Sequence, residues 1–92
     1  MKLVELDEGV RTELLDEIAT LGAICALRAW DRTHRAPALL YRRMTDEDER
    51  DFNEVLAAYG VEYDPMLKAV FWAGAAGEDE GLAALIQRER GN

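Results

Sequence analysis

The chain has 92 residues, of which 49% are hydrophobic and 33% charged. This is the composition of one small folded domain, and it excludes an intrinsically disordered chain. The formal net charge of −8 disfavours direct binding to nucleic acid or to an anionic membrane, and it favours a partner with a basic surface. Cys25 is the only cysteine, which excludes an internal disulfide. Because the acidic N-terminus does not resemble a signal peptide, we expect a cytoplasmic protein.

The charge is unevenly distributed along the chain. Residues 28–44 hold five Arg and one acid, whereas residues 45–80 hold eleven acids and two bases. The basic segment also contains Trp30, His34 and Tyr41, and basic residues interleaved with aromatics can bind single-stranded nucleic acid. Since the acids outnumber the bases overall, we interpret the Arg residues as internal partners of the acidic segments. We expect no direct nucleic-acid binding.

The apolar periodicity is helical throughout and predicts an all-α fold, a compact bundle of four to five helices in a single domain, 1–92. The first helix is predicted at about 7–33 and is expected to be the central element. Its second half, residues 21–30, is apolar almost all round, which is typical of a helix that is central in its fold or buried in an oligomer. Gly22 costs about 1 kcal/mol relative to Ala in a helix interior. We therefore expect a neighbouring helix to pack closely at Gly22.

Four further helices are predicted from their start and stop signals, at 37–44, 46–59, 65–73 and 78–89. Pro37 suits the first turn of the second of the five helices, and Pro65 suits the first turn of the fourth, with Asp64 as its cap. Gly60 is expected to end the helix 46–59, and Gly74 is expected to end the helix 65–73. The predicted inner faces consist of Phe52, Val55, Leu56 and Tyr59 in the helix 46–59, of Met66, Leu67, Val70 and Phe71 in the helix 65–73, and of Leu82, Leu85 and Ile86 in the last.

The segment TDEDERD, residues 45–51, contains five acids in seven positions. A calcium loop needs oxygen ligands at alternate positions, a central Gly and a distal Glu, and the sequence that begins at Asp46 fails at three of these places. Thr45 is instead a good N-cap, with Asp48 three residues later, and carboxylates in a first helical turn favour the helix dipole. Four consecutive acids exceed what capping requires. The surplus is either a solvated face or a surface that a basic partner binds.

The candidate partner-binding residues are the acids of residues 46–80 and two aromatic side chains that could anchor a contact. Trp72 falls outside the apolar stripe of its helix, so it is either an exposed anchor or covered by the next helix. This set comprises Asp46, Glu47, Asp48, Glu49, Asp51, Glu54, Glu62, Tyr63, Asp64, Trp72, Glu78, Asp79 and Glu80.

The sequence carries no motif for catalysis, metal or cofactor. Asp31 and His34 could face each other on a helix, but a metal site requires at least three protein ligands. Cys25 lies on the apolar stripe and is expected to be an inert core residue. We therefore predict that the protein is not an enzyme and has no catalytic residues, cofactor or metal.

In size, acidity, helicity and lack of catalytic groups, the chain resembles small acidic helical inhibitors that phages use against host machinery, including anti-CRISPR proteins and DNA mimics. The resemblance lies in general character and not in a motif, so it assigns no role to particular residues. The leading hypothesis is a non-catalytic protein that inhibits or modulates a larger protein by presenting carboxylates to its nucleic-acid-binding surface. The alternative is a homo-oligomeric structural or assembly subunit whose seam consists of Ala23, Leu27 and Trp30.

Overall fold

A computed structural model describes the backbone of residues 1–33 and 44–90, with side chains for residues 1–31 and 44–77. This part of the chain forms three α-helices and contains no β-strand: α1 is Glu8–Thr33, α2 is Asp46–Tyr59 and α3 is Pro65–Arg90. A short 3-10 helix, Leu3–Glu5, precedes α1. The all-α prediction is therefore confirmed, with three helices where four to five were predicted. The helix predicted at 37–44 lies almost wholly outside the described residues.

The prediction of two separate helices at 65–73 and 78–89 is wrong, because α3 continues without a break from Pro65 to Arg90. Gly74 was expected to end the first of them. A glycine inside a helix costs about 1 kcal/mol relative to Ala, but packing against a neighbouring helix can outweigh that cost. Gly74 makes such a packing contact, with Ala19 of α1.

Two glycines allow α1 and α3 to pack with their backbones in contact. A Cβ atom built on Gly22 of α1 would overlap the carbonyl oxygen of Phe71 in α3 and lie 3.0 Å from the backbone nitrogen of Ala75. A Cβ atom built on Gly74 of α3 would overlap the carbonyl oxygen of Ala19 in α1. The two helices also begin at the same end of the molecule, because Val4, whose carbonyl accepts a hydrogen bond from Arg11 of α1, lies beside Glu62–Asp64 just ahead of α3. The helices therefore run in the same direction where they meet. The sequence predicts that a neighbouring helix packs closely at Gly22, and in the structure that helix is α3.

Helix α2 also packs against α1, and it is bounded by local signals that the sequence contains. Thr45 is its N-cap, and Gly60 ends it in the left-handed region at φ 64°. Arg28 of α1 contacts the start of α2, and Glu17 of α1 contacts Tyr59 at its end. The two helices are therefore antiparallel. Since α1 touches both α2 and α3, it is the central helix of the part of the chain described here.

One hydrophobic cluster joins all three helices. Phe71 of α3 is fully buried and meets the ring of Phe52 of α2 edge-on, with 5.9 Å between the ring centroids. Burying side chains of this size contributes about 1.5–3 kcal/mol each. Met66 was predicted to face inward but is 57% exposed, because the buried face of α3 follows Leu67 and Phe71, and Met66 lies about 100° from Leu67 around the helix. The buried members of the cluster are Leu3, Leu14, Ile18, Cys25, Phe52, Leu56, Val61, Leu67 and Phe71.

The N-terminal segment is fastened to the loop that joins α2 to α3. The Met1 ammonium donates to the carbonyl of Gly60 at 3.1 Å, and the backbone N–H of Glu62 donates to the carbonyl of Met1 at 2.8 Å. Leu3 is buried in the core cluster. The ammonium also brings a positive charge to the C-terminal end of α2, whose last turn has no basic side chain.

Candidate functional site

The start of α2 organises the acidic segment. The side chain of Thr45 accepts a hydrogen bond from the backbone N–H of Asp48 at 3.1 Å, and the carboxylate of Asp48 accepts one from the N–H of Thr45 at 3.1 Å. This reciprocal pair is a capping box, which satisfies two backbone donors that the helix itself cannot satisfy. Asp48 is only 2% exposed. Its side chain faces the protein interior, so of the predicted partner-binding carboxylates on α2 it presents the least surface to a partner.

Arg28 of α1 neutralises the inward side of this acidic segment. Its Nη1 atom donates to Asp51 Oδ2 at 2.7 Å, and it lies 3.6 Å from Glu47 Oε1 and 4.0 Å from Asp48 Oδ1. The hydrogen bond to Asp51 raises the pKa of Arg28. Asp51 is half-buried, so it serves mainly as a link between α1 and α2. The expectation that Arg residues pair with internal acids holds for Arg28.

Cys25 lies beneath the same cluster and is fully buried. Burial, with the neighbouring Asp48 carboxylate as the next cause, raises the pKa of the thiol from its ordinary value of 9.0 to about 12. A thiol in this environment stays protonated at neutral pH and is a poor nucleophile. Asp48 Oδ1 is buried beside it and has no hydrogen-bond partner among the described atoms. Among the described residues, the Arg28 guanidinium is the positive charge nearest to that oxygen, at 4.0 Å.

The outward side of α2 remains strongly acidic. Asp46, Glu47, Glu49 and Glu54 are all exposed there, with Arg50 as the only base among them. We call these four acids and Arg50 the exposed face of α2. Within the part of the chain that the structure describes, Asp46, Glu49 and Glu54 form no ion pair or hydrogen bond through their side chains. The acidic segment therefore has two sides, one bound to Arg28 and one presenting carboxylates to solvent.

The predicted residues 62–64 line a cleft between the α2–α3 loop and the N-terminal segment. The cleft has a volume of about 340 Å³ and is lined by Lys2, Leu3, Val4, Glu62, Tyr63 and Asp64. Glu62 and Tyr63 are exposed. Asp64 is half-buried, and its Oδ1 atom accepts the backbone N–H of Met66 at 2.8 Å, which caps α3 as predicted.

The other predicted residues are dispersed over the molecule. Trp72 is half-buried and packs edge-on against Phe71, with 5.1 Å between the ring centroids, so part of its surface serves the core. In the proposed seam on α1, Leu27 is 40% exposed, while Ala23 and Trp30 are half-buried. The side chains of Glu78, Asp79 and Glu80 lie outside the described residues.

Sequence reasoning missed Arg28 as the residue that separates the two sides of the acidic segment, and it missed Lys2, Leu3 and Val4 as a wall of the cleft. Arg28 was one of five similar Arg residues in its segment, and only the antiparallel packing of α1 and α2 selects it. For the N-terminal wall, a signal was present in the apolar pair Leu3 and Leu6 ahead of the first helix. Both pack in or against the core cluster.

The described residues contain no group of three or more His, Cys, Asp and Glu side chains arranged to hold a metal ion. His34 lies outside them, so the structure does not place it beside Asp31, which is exposed. None of the helices in the described ranges is long and apolar enough to cross a membrane. No protein-family model, curated protein or solved structure matches this chain.

Proposed function

We propose that the protein is a small, non-catalytic binding protein that docks the exposed face of α2 against a basic, nucleic-acid-binding surface of a larger protein and inhibits or modulates it. The observation that carries this proposal is the set of three carboxylates on that face, Asp46, Glu49 and Glu54, that have no partner in the described chain. Surfaces that bind nucleic acid are rich in Lys and Arg, and they attract a dense row of negative charge.

Rigidity of the acidic face supports the proposal. The capping box at Thr45 fixes the first turn of α2, and the Arg28–Asp51 hydrogen bond ties the next turn to α1. Phe52 and Leu56 bury the opposite side of the helix in the core. The backbone that carries the carboxylates is therefore fixed, so less backbone freedom is lost on binding than for a flexible acidic tail.

The test is to capture a partner from cell lysate with the immobilised protein, and then to measure the affinity of the purified partner. Neutralising the face with Asp46→Asn, Glu49→Gln and Glu54→Gln should weaken binding and flatten its dependence on salt. The matched control neutralises three exposed acids elsewhere: Glu5→Gln, Glu8→Gln and Asp16→Asn. Duplex DNA or RNA should compete for the partner. Unchanged affinity in the first triple variant, or binding that survives high salt, would refute the proposal.

The homo-oligomer remains a second candidate, because Ile24 and Leu27 expose 42% and 40% of their surface in the middle of α1. The structure reduces its basis, since much of the apolar half of α1 is already buried within the chain, including Gly22, Cys25 and Ala26. Sedimentation of the wild type and of the Ile24→Glu, Leu27→Glu variant distinguishes the cases. A dimer that the double substitution dissociates would favour this candidate, and a monomer at high concentration would exclude it.

A further inference from the structure

Residues 1–6, which we call the strap, lie outside helices α1, α2 and α3. Leu3 is the one buried side chain of the strap, at 3% exposure, and Leu6 is half-buried. The other four side chains are exposed, with Val4 at 75%. A segment with few buried apolar contacts opens at a lower free energy than the core of a fold does. Packing alone therefore holds the strap weakly.

Few hydrogen bonds join the strap to the α2–α3 loop. Met1 donates to the carbonyl of Gly60 at 3.1 Å, and the carbonyl of Met1 accepts the N–H of Glu62 at 2.8 Å. The backbone bonds of the 3-10 turn stay within the strap itself. Both links to the loop therefore depend on a single residue at one end of the strap.

Arg11, in the first turn of α1, holds the other end of the strap. Its Nη2 atom donates to the carbonyl of Leu6 at 2.9 Å and to that of Val4 at 3.3 Å. Its Nε atom is buried and has no hydrogen-bond partner among the described atoms. A buried N–H without an acceptor carries a desolvation cost, which water removes once the group is exposed. The closed arrangement therefore contains a cost that opening relieves.

We propose that the strap opens and closes as one unit while the three helices stay folded, and that Arg11 is the latch that keeps it closed in the ground state. The pivot lies at Leu6, where the backbone is extended at φ −74° and ψ 148°. The next residue already belongs to α1, since the carbonyl of Asp7 accepts the Arg11 N–H at 2.8 Å. This motion does not involve the exposed face of α2, so it goes beyond the proposed function.

Opening of the strap changes the cleft beside the α2–α3 loop. The strap supplies Lys2, Leu3 and Val4 to one wall of the cleft, whose volume is about 340 Å³ in the closed form. Leu3 is also a member of the core cluster. When the strap leaves, the cleft extends to the apolar site that Leu3 fills. The strap therefore controls whether the cleft is a surface feature or reaches the core.

Amide hydrogen exchange of the full chain, measured by NMR at increasing urea concentrations, tests the proposal. Two adjacent amides of the loop are the reporters. The Glu62 N–H is bonded to Met1 of the strap, whereas the Val61 N–H is bonded to Leu56 of α2 at 3.0 Å. We expect Glu62 to be about tenfold less protected than Val61, with little dependence on urea. Amides in the interior of α1 should show the steep urea dependence of global unfolding.

Two variants separate strap opening from global unfolding. Arg11→Met removes the latch and should lower the protection of the Glu62 amide about tenfold. Arg50→Met, the same change at an exposed Arg of α2, should not alter it. Thr45→Ala weakens the start of α2, which is folded whether the strap is open or closed. It should lower the protection of interior α1 amides about fivefold and leave that of Glu62 unchanged.

Equal protection and equal urea dependence for Glu62 and the α1 interior would overturn the proposal, because the strap would then open only with the whole fold. A loss of Glu62 protection in Thr45→Ala that matches the loss in α1 would overturn it for the same reason. An unprotected Glu62 amide in the wild type would contradict the closed ground state. Unchanged Glu62 protection in Arg11→Met would contradict the latch, and if that variant does not fold, the wild type and Thr45→Ala still decide the matter.

Discussion

Arg28 and Asp51 join α1 to α2 through a hydrogen bond of 2.7 Å between Nη1 and Oδ2. The same guanidinium lies 4.0 Å from the buried Oδ1 of Asp48, which has no hydrogen-bond partner among the described atoms. Arg28 is therefore the cation that offsets a carboxylate that solvent does not reach.

A variant without Arg28 tests how far the stability of the protein depends on this cation. We expect Arg28→Ala to lower the free energy of unfolding by about 1–3 kcal/mol, since it leaves a buried carboxylate without its counter-charge. Arg50→Ala, which truncates an exposed Arg of α2, should change it by less than about 0.5 kcal/mol. Urea unfolding followed by circular dichroism measures both values.

A second substitution shows whether charge is the cause. Asp48→Asn keeps an oxygen that can accept the capping hydrogen bond but removes the buried charge. In the Arg28→Ala background it should restore part of the lost stability. If the double variant is less stable by the sum of the two single effects, then the two residues are not coupled and this account of Arg28 is incorrect.

The glycines of the α1–α3 contact give a prediction opposite to helix propensity. Propensity alone favours Ala over Gly in a helix by about 1 kcal/mol. We expect Gly22→Ala and Gly74→Ala to destabilise instead, each by about 2–3 kcal/mol or more, because the new methyl group meets backbone atoms that cannot rotate away. Thermal unfolding of the purified variants provides the measurement.

Gly77 is the matched control on the same helix as Gly74. A Cβ built there has no neighbouring atom within 4 Å. Gly77→Ala should therefore stabilise the protein by about 0.5–1 kcal/mol. A destabilised Gly77→Ala variant, or a Gly22→Ala variant with unchanged stability, would show that α1 and α3 do not meet as described.

These three glycines also show where sequence reasoning reaches its limit. The caps at Thr45, Gly60 and Asp64 were predictable because the hydrogen bonds that define a helix end lie within a few residues of it. The sequence predicts a helix end at Gly74 because glycine is common at helix ends. Glycine is also found where two helices pack closely, and the sequence alone does not distinguish the two cases. Only the position of Ala19 in the neighbouring helix distinguishes the two uses.

The location of the acidic residues could be predicted from the sequence, but their exposure could not. Composition located the excess of acids in residues 45–80. Which of these acids face inward depends on the antiparallel register of α1 and α2, and that register is a tertiary property. Asp48 was consequently grouped with Asp46 and Glu49, although it is buried and they are exposed.

Thr45 offers a direct measure of the cap. Thr45→Ala removes the hydroxyl that accepts the Asp48 N–H, and should cost about 1 kcal/mol. Thr45→Ser keeps that hydroxyl and should cost much less. Thr20→Ala, at an exposed position within α1, is the control and should not lower the free energy of unfolding, since Ala is the better helix former. Equal losses for Ala and Ser at position 45 would contradict the capping role.

Cys25 should be chemically silent in the folded protein. It is fully buried and its pKa is raised to about 12, so a disulfide reagent should react with it only when the structure opens. We expect the labelling rate to be very low in buffer and to rise steeply through the urea transition. Rapid labelling of a folded sample at neutral pH would contradict the burial of this thiol.

Alkaline pH should destabilise the protein, with two contributors. The hydrogen bond that Tyr59 donates to Glu17 at 2.6 Å raises the pKa of the phenol from 10.0 to about 12. The unfolded chain loses the proton first, so the stabilisation is complete below pH 10 and is lost as the pH rises toward 12. Cys25 acts in the same direction between pH 9.0 and about 12.

The two contributions can be separated with variants. Urea midpoints measured from neutral to alkaline pH should fall less steeply in Cys25→Ala than in the wild type. Adding Tyr59→Phe should flatten the profile further, because the phenol that titrates is absent. If the wild type and the double variant show parallel profiles, neither group is responsible for the loss of stability.

The contact between Gly22 and Phe71 has a consequence for synthesis of the chain. About 50 residues separate the two positions, so the apolar residues 21–30 leave the ribosome well before the helix that covers them. At roughly 5–20 residues per second, translation leaves that surface uncovered for roughly 2–10 seconds. During this interval the nascent chain presents an apolar helix to chaperones and to other nascent chains, and the rate at which α3 is translated determines how long the exposure lasts.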